Sequence, residues 1–135
     1  RLSRPYYALV TFSTNSVPGQ GTADDYMYVD DVEMLYYSEY AYGTCDAISF
    51  TKDILRIHDL KTGVTPAHIE QLRIYAALFC LEYKIRPADI LIHLRIYQDN
   101  KINGEDPDAT VITPIMDKII YFTNLLRKFK NGEET

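Results

Sequence analysis

Residues 43–61, GTCDAISFTKDILRIHDLK, contain two apolar, strand-like runs on either side of a short polar segment at residues 51–53. The β-branched and aromatic content of both runs predicts a β-hairpin. The first strand carries Asp46 and the second carries Asp59. A carboxylate in an apolar run is unusual, because burial of an unpaired charge is costly. The hairpin therefore predicts a specific role for both aspartates.

A lysine falls in phase with the second aspartate. Successive side chains of a strand point to opposite faces, so Asp59 and Lys61, two residues apart, project from the same side. If the segment that holds Asp46 pairs beside this strand, two carboxylates and one ammonium group converge. Carboxylate oxygens of this kind hold Mg²⁺ or Mn²⁺, and a lysine can stabilise charge on a phosphate or orient a water molecule. The arrangement predicts a site that cleaves phosphodiester bonds.

Three ordered motifs resemble the PD-(D/E)XK nuclease superfamily, and more closely its RecB-type branch. That branch pairs a G-x-x-D strand with a (D/E)-x-K strand and carries Q-x-x-x-Y on the next helix. The chain has GTCD at 43–46, DLK at 59–61 and QLRIY at 71–75. The stretch from about residue 36 to residue 130 also resembles a phage-encoded member of the branch. The phrases that carry this likeness are YGTCDAISF at 42–50, IHDLKTG at 57–63 and LRIYQ at 94–98.

The resemblance implies a metal-dependent nuclease that acts on DNA. By this resemblance Asp46, Asp59 and the carbonyl oxygen of Leu60 bind Mg²⁺ or Mn²⁺, and Asp46, Asp59 and Lys61 are the catalytic residues. A more ordinary interpretation stays open for each of them. Aspartates are common beside a Thr-Gly turn at the end of a strand, and a lysine there is usually solvated.

The resemblance also implies that Gln71 and Tyr75 brace the site or contact DNA. They lie one helical turn apart on the same face of the predicted helix. A tyrosine in this position is as often a core residue. The histidines at 58 and 68 are more simply structural or surface residues. His58 is expected on the opposite face from Asp59.

The upstream part of the chain departs from the RecB-type pattern. That branch usually places a helix before the first strand, often with a histidine that adds a metal ligand, whereas all three histidines here follow Asp46. Residues 1–35 instead weakly resemble the closing strands of a secreted carbohydrate-associated β-sandwich module, through residues 6–14 and 28–33. Two unrelated resemblances that meet near residue 35 indicate a chimeric, truncated or artificial sequence.

Length and composition limit the possible domain organisation and class of the protein. The chain has 135 residues and 47% hydrophobic residues, which predicts one folded domain, with residues 1–35 as an N-terminal β segment and acidic loop and residues 36–135 as the nuclease-like core. No apolar run has the length of a membrane span. Cys45 and Cys80 form neither a disulfide framework nor a zinc signature, so both are predicted to be free thiols of a cytoplasmic protein.

The net charge of −5 supports a second hypothesis of a different class. An acidic chain is a poor non-specific binder of polyanions. The alternative is a non-catalytic binding or inhibitor protein that kept the nuclease scaffold and occupies a basic groove on a protein partner. Bound cations can nevertheless offset carboxylates locally, so an acidic pI does not exclude a metal nuclease.

The predicted fold is α+β, a mixed β-sheet with helices covering its faces, equivalent to a restriction-endonuclease-like core that lacks its first helix. The last helix has two possible starts, with Asp108 or Thr113-Pro114 as the cap. The predicted strands are 6–14, 26–37, 42–50, 54–61 and 90–98, and the predicted loops are 15–25 and 99–108. The first predicted helix runs from Thr65-Pro66 to about Tyr83, and the second ends at about Lys130.

Overall fold

The computed structural model describes residues 33–64 and 66–132. The predicted strand at residues 6–14 and loop at 15–25 lie outside these ranges. The described part contains six strands, two α-helices and a short 3₁₀ turn. The strands are β1 (Glu33–Ser38), β2 (Ala41–Cys45), β3 (Ala47–Thr51), β4 (Ile54–Leu60), β5 (Leu91–Gln98) and β6 (Lys101–Glu105); the helices are α1 (Ile69–Tyr83) and α2 (Ala109–Lys130), and the 3₁₀ turn is Pro87–Asp89.

The strands form two sheets, which confirms the α+β class and the mixed strand directions. β1 and β2 make a two-stranded antiparallel sheet, and the second sheet has the order β3-β4-β5-β6. In the second sheet β4 and β5 are parallel, while the outer pairs are antiparallel. Parallel neighbours require a crossover connection, which α1 provides here.

The hairpin predicted around residues 51–53 is confirmed. Lys52 and Asp53 have φ values of 52° and 61°, the left-handed conformations of a two-residue hairpin turn that suits the twist of the strands. Asp99 and Asn100 repeat this geometry between β5 and β6, with φ values of 52° and 65°. The prediction of a loop over 99–108 was therefore wrong. The sequence pattern does not predict β6, because β6 is a mostly exposed edge strand with little apolar alternation.

The single strand predicted over 42–50 is also divided. It breaks at Asp46, so that β2 belongs to the two-stranded sheet and β3 to the four-stranded sheet. Both halves read as β-forming sequence, and residue pattern alone does not show which strand each half pairs with. As a result Asp46 lies at the junction of the two sheets.

Helix α1 begins later than predicted. Its first residue is Ile69, and His68 occupies the N-cap position without a side-chain capping hydrogen bond. The predicted start at Thr65-Pro66 was wrong by a turn, and Thr65 itself lies outside the described residues. The end at Tyr83 is as predicted, and Lys84 follows in a left-handed conformation with its N–H bonded to the carbonyl of Cys80.

The core lies between α1 and one face of the four-stranded sheet, which we call the inner face. Side chains of α1 pack there against the alternating apolar residues of the two central strands. Burial of this kind is the main source of stabilisation in a small domain. The core residues of α1 include Leu72, Ala76 and Phe79; those of β4 and β5 are Leu55, Ile57, Ile92, Leu94 and Ile96, and all are at most 3% exposed.

Helix α2 packs against α1 instead of against the opposite face of the sheet. The expectation that helices cover both faces was therefore wrong for the described helices. Of the two predicted starts, Asp108 is the cap, because its carboxylate accepts a hydrogen bond from the N–H of Thr110 at 2.9 Å. The hydroxyl groups of Ser38 and Thr123, 2.9 Å apart, tie α2 to β1. Neither described helix is long and apolar enough to cross a membrane.

Candidate active site

Asp46 links the two sheets through a main-chain hydrogen bond. Its Oδ2 accepts from the N–H of Leu60 at 2.8 Å. Leu60 is the last residue of β4, so the bond fixes the carboxylate at the C-terminal end of this strand. The residue itself is exposed. The structure thus brings Asp46 next to the D-x-K motif, as the sequence predicted.

Asp59 and Lys61 form an ion pair at the same end of β4. The distance between Lys61 Nζ and Asp59 Oδ2 is 2.9 Å, which confirms that the two side chains share one side of the strand. Asp59 follows Leu55 and Ile57 on the inner face and is 8% exposed. The lysine side chain is 38% exposed, so its ammonium group still reaches solvent. A nearly buried carboxylate requires such a partner.

Tyr75 of α1 lies within the electrostatic influence of both carboxylates. Partial burial raises the pKa of its phenol above the ordinary value, and the negative charges of Asp59 and Asp46 raise it further. The hydroxyl group therefore stays protonated at neutral pH and can donate a hydrogen bond towards an anion. This places Tyr75 of the Q-x-x-x-Y motif beside the other two motifs.

Gly43 is required by the position of this tyrosine. A Cβ atom on Gly43 would lie 2.8 Å from Tyr75 Cε1, closer than carbon atoms approach without displacement, and 3.8 Å from Cδ1 of Leu78. The glycine of the GTCD motif therefore lets the ring of Tyr75 rest directly on β2. Close approach of a side chain to a backbone is a common reason for glycine in a strand.

We expect Gly43→Ala to lower the free energy of unfolding by about 1 to 3 kcal/mol, the usual range for overpacking. Urea denaturation of a double-mutant cycle with Tyr75→Ala tests the cause. In the Tyr75→Ala background the same glycine substitution should cost almost nothing, since the obstructing ring is gone. Thr44→Ala, at the neighbouring exposed position, is the control. Equal costs in both backgrounds would show that the tyrosine ring does not require the glycine.

The remaining residue of the helix motif, Gln71, is exposed one turn before Tyr75. Arg73, within the same motif, has a structural contact that the sequence did not reveal. Its Nε donates to both carboxylate oxygens of Glu105, at 2.8 and 2.7 Å, and so fastens α1 to β6. This pair was not foreseen because β6 itself was not predicted.

The histidines lie apart from the carboxylates. His58 is on the opposite face of β4, as predicted, with its Nδ1 2.9 Å from the hydroxyl oxygen of Tyr97. Burial lowers the pKa of His58, and the nearby charges of Arg56 and Arg95 lower it further. His68 is exposed at the N-cap of α1. Within the described residues no group of three or more His, Cys, Asp or Glu side chains is arranged to hold a metal ion.

The oxygen atoms of Asp46, Asp59 and Leu60 are of the type that binds a hard divalent cation with few protein ligands. Mg²⁺ commonly uses one or two carboxylates and keeps several water molecules. Oδ2 of Asp46 and of Asp59 each has a protein partner, whereas Oδ1 of each accepts no hydrogen bond from a described residue. These oxygens and the carbonyl of Leu60 are of the chemical type that Mg²⁺ or Mn²⁺ prefers.

The two cysteines are not part of this chemistry. Both are buried and neither is in a disulfide, with Cys45 in β2 and Cys80 in α1, as predicted. Burial raises the pKa of the Cys80 thiol to about 12, so it is not a nucleophile at neutral pH.

Comparisons of this chain with protein-family models, with curated proteins and with solved structures gave no match. The nuclease hypothesis therefore rests on the three motifs and on their geometry.

Proposed function

We propose that the chain is a metal-dependent nuclease-like domain that cleaves phosphodiester bonds of DNA. The observation that supports this most is the meeting of three motifs at one end of β4. Asp46 bonds to the backbone of Leu60, and Asp59 pairs with Lys61. Tyr75 lies within the field of both carboxylates. A purely structural ion pair would not require the glycine and the tyrosine of the other two motifs at the same place.

In this proposal Asp46, Asp59 and the carbonyl of Leu60 hold Mg²⁺ or Mn²⁺. The bound cation supplies Lewis acidity towards a phosphate oxygen and lowers the pKa of a water molecule. The two aspartates would hold this cation between them. Their crowding in one place is tolerable because Lys61 neutralises one of the charges when no ion is present.

Lys61 acts on the phosphate directly. Its ammonium group is partly exposed at the edge of the site, so it can face the substrate while its ion pair with Asp59 restricts its position. There it offsets the negative charge that develops on the phosphate during cleavage, or it orients the attacking water. In the proposal Tyr75, which is protonated at neutral pH, donates a hydrogen bond to a phosphate oxygen, and the exposed Gln71 contacts the DNA one turn away.

A cleavage assay on linear and circular DNA tests the proposal. The chain should cleave in Mg²⁺ or Mn²⁺ and lose all cleavage in a chelator. Comparison of the two substrates separates attack at ends from attack within the strand. No cleavage of either substrate with either ion would contradict the proposal and favour the acidic binding or inhibitor protein as the function of the scaffold.

A further inference from the structure

Helix α2 carries apolar side chains at intervals that alternate strictly between three and four residues. The series consists of Ile112, Ile115, Ile119, Phe122, Leu126 and Phe129. This spacing places the six side chains along one stripe of the helix, which we call the α2 seam. An apolar stripe of this period is typical of a helix that packs against another helix along its length.

Only the first half of the α2 seam is covered within the described part of the chain. Ile112 is fully buried, and Ile115 and Ile119 are partly buried against the core. The second half is exposed, by 53%, 41% and 55% for Phe122, Leu126 and Phe129. Helix α1 has 15 residues and α2 has 22, so α1 is too short to cover the whole seam.

An apolar groove of about 430 Å³ adjoins the seam, between α1 and α2. Both halves of the seam contribute to one wall of this groove, which includes Ile115, Ile119, Phe122 and Leu126. Ile74 of α1 and Tyr40, from the turn between β1 and β2, also line the groove and are 43% and 37% exposed. The groove and the exposed half of the seam therefore form one continuous apolar surface.

The area of this surface is sufficient for a small dimer interface. The exposed fractions of the five half-exposed residues correspond to about 400 Å², since an aromatic side chain has roughly 200 Å² of surface. Homodimer interfaces are about 65% apolar, so this area fits an interface of about 600 Å² on each copy. The total of about 1,200 Å² is at the lower end of the range for specific interfaces. The five residues are Tyr40, Ile74, Phe122, Leu126 and Phe129.

The α2 seam is complementary to itself when two copies run antiparallel. If Phe122 of one copy lies beside Ile119 of the other, two-fold symmetry repeats this contact and places Leu126 beside Ile115. Each exposed side chain of the second half then meets a smaller or equal one of the first half, which suits interdigitated packing. A parallel pair would instead set Phe122 against Phe122 and leave the groove unfilled.

Pairing along the seam buries no unpaired charge, which would be costly. All six seam residues are apolar, and helical spacing places Asp117 and Lys128 on other sides of α2. Lys118 borders the groove and is exposed, so its ammonium group can stay in water while its stem covers apolar surface. Glu70 borders the same groove, so the rim lacks the excess of positive charge that favours an anionic membrane.

We propose that the α2 seam and the adjoining groove form the interface of a homodimer, in which the two α2 helices pack antiparallel. The second copy is the occupant because the exposed half of the seam matches the groove-lining half in chemistry and in spacing. An interface of this size predicts a dissociation constant of about 1 to 100 μM. The dimer is independent of the proposed nuclease activity.

Sedimentation equilibrium of the full chain, from about 1 μM to about 1 mM, tests this inference. The parent should approach twice the 15.6 kDa of one chain as its concentration rises. Phe122→Glu should weaken association about 100-fold or more, because symmetry brings the charge into the interface twice. Tyr121→Glu is the matched control. Tyr121 is 61% exposed and about 100° away around the helix, so this variant should associate like the parent.

A mixture of two variants tests the antiparallel register. Phe122→Glu and Ile119→Lys should each fail to self-associate, since each places a charge against an apolar residue of the other copy. Mixed in equal amounts they should form a heterodimer, in which the new glutamate meets the new lysine and the other Ile119–Phe122 contact is intact. Circular dichroism is to show that both variants are folded.

A parent that stays monomeric at the highest concentration would overturn the inference, as would a Phe122→Glu variant that dimerises like the parent. Failure of the two folded variants to associate with each other would contradict the antiparallel interface. Binding of a monomeric parent to phosphatidylserine vesicles, lost in Phe122→Glu, would assign the seam to a membrane surface instead. If Ile119→Lys does not fold, the comparison of Phe122→Glu with Tyr121→Glu decides alone.

Discussion

Replacement of Lys61 by alanine is expected to slow DNA cleavage by about 100- to 1000-fold, the range for removal of one charge-stabilising donor from an active site. The ammonium group that lies 2.9 Å from Asp59 would no longer offset charge on the phosphate or orient water. Metal binding should persist, because both carboxylates remain. Single-turnover rates in saturating Mg²⁺ measure the effect on the chemical step without the contribution of product release.

The same substitution has a predictable effect on folding. It leaves Asp59, which is 8% exposed, without its cation, so we expect a loss of about 1 to 3 kcal/mol in the free energy of unfolding without metal. Added Mg²⁺ should recover part of this loss by binding only the folded state. Lys101→Ala, at an exposed position in β6, is the control for removal of a lysine. A cleavage rate equal to that of the parent would exclude a catalytic role for Lys61.

Asp46→Asn should also reduce the rate of cleavage by about 100-fold or more. Mutation of residues that only hydrogen-bond to metal ligands commonly lowers metal affinity or activity by about 10- to 100-fold, and loss of a ligand should cost at least as much. The asparagine carbonyl can still accept the hydrogen bond from the N–H of Leu60, so the junction between the sheets should stay in place. The variant therefore separates the charge of Asp46 from its structural bond. Cleavage rates and urea denaturation are to be measured on the same preparation.

Asp53→Asn is the matched control for this variant. Asp53 lies in the turn at the other end of β4, with a φ of 61°, a conformation that asparagine also tolerates. The Asp53→Asn variant should cleave DNA at the same rate as the parent. Loss of cleavage in both variants would point to a general effect of net charge, and loss of stability in Asp46→Asn alone would show that the residue is structural.

The motif residues could be predicted from sequence because each depends on local geometry. The phase of Asp59 and Lys61 follows from strand alternation, and the turn at Lys52-Asp53 follows from its flanking runs. The position of His58 on the other face follows from the same alternation. The class of the fold, α+β with mixed strand directions, was predicted on the same basis.

The features that were predicted wrongly or missed depend on contacts between residues far apart in the sequence. The break at Asp46 is set by which strand each half pairs with, and β6 is held by β5 and a turn instead of by its own pattern. The position of α2, which packs against α1 and not on the face of the sheet opposite α1, is a matter of tertiary packing that an apolar stripe does not specify. The contact between Gly43 and Tyr75 joins two motifs that lie far apart in sequence, so their spacing along the chain does not predict it.

Titration of the metal-free protein with Mn²⁺, followed by calorimetry, tests the central claim that Asp46 and Asp59 share an ion. The account predicts a single site per chain, weakened by Asp46→Asn and by Asp59→Asn. The double variant should lose less than the sum of the two single losses, because each single variant already disrupts the same ion. No binding of Mn²⁺ by the parent, or binding by Asp46→Asn that equals that of the parent, would contradict the account.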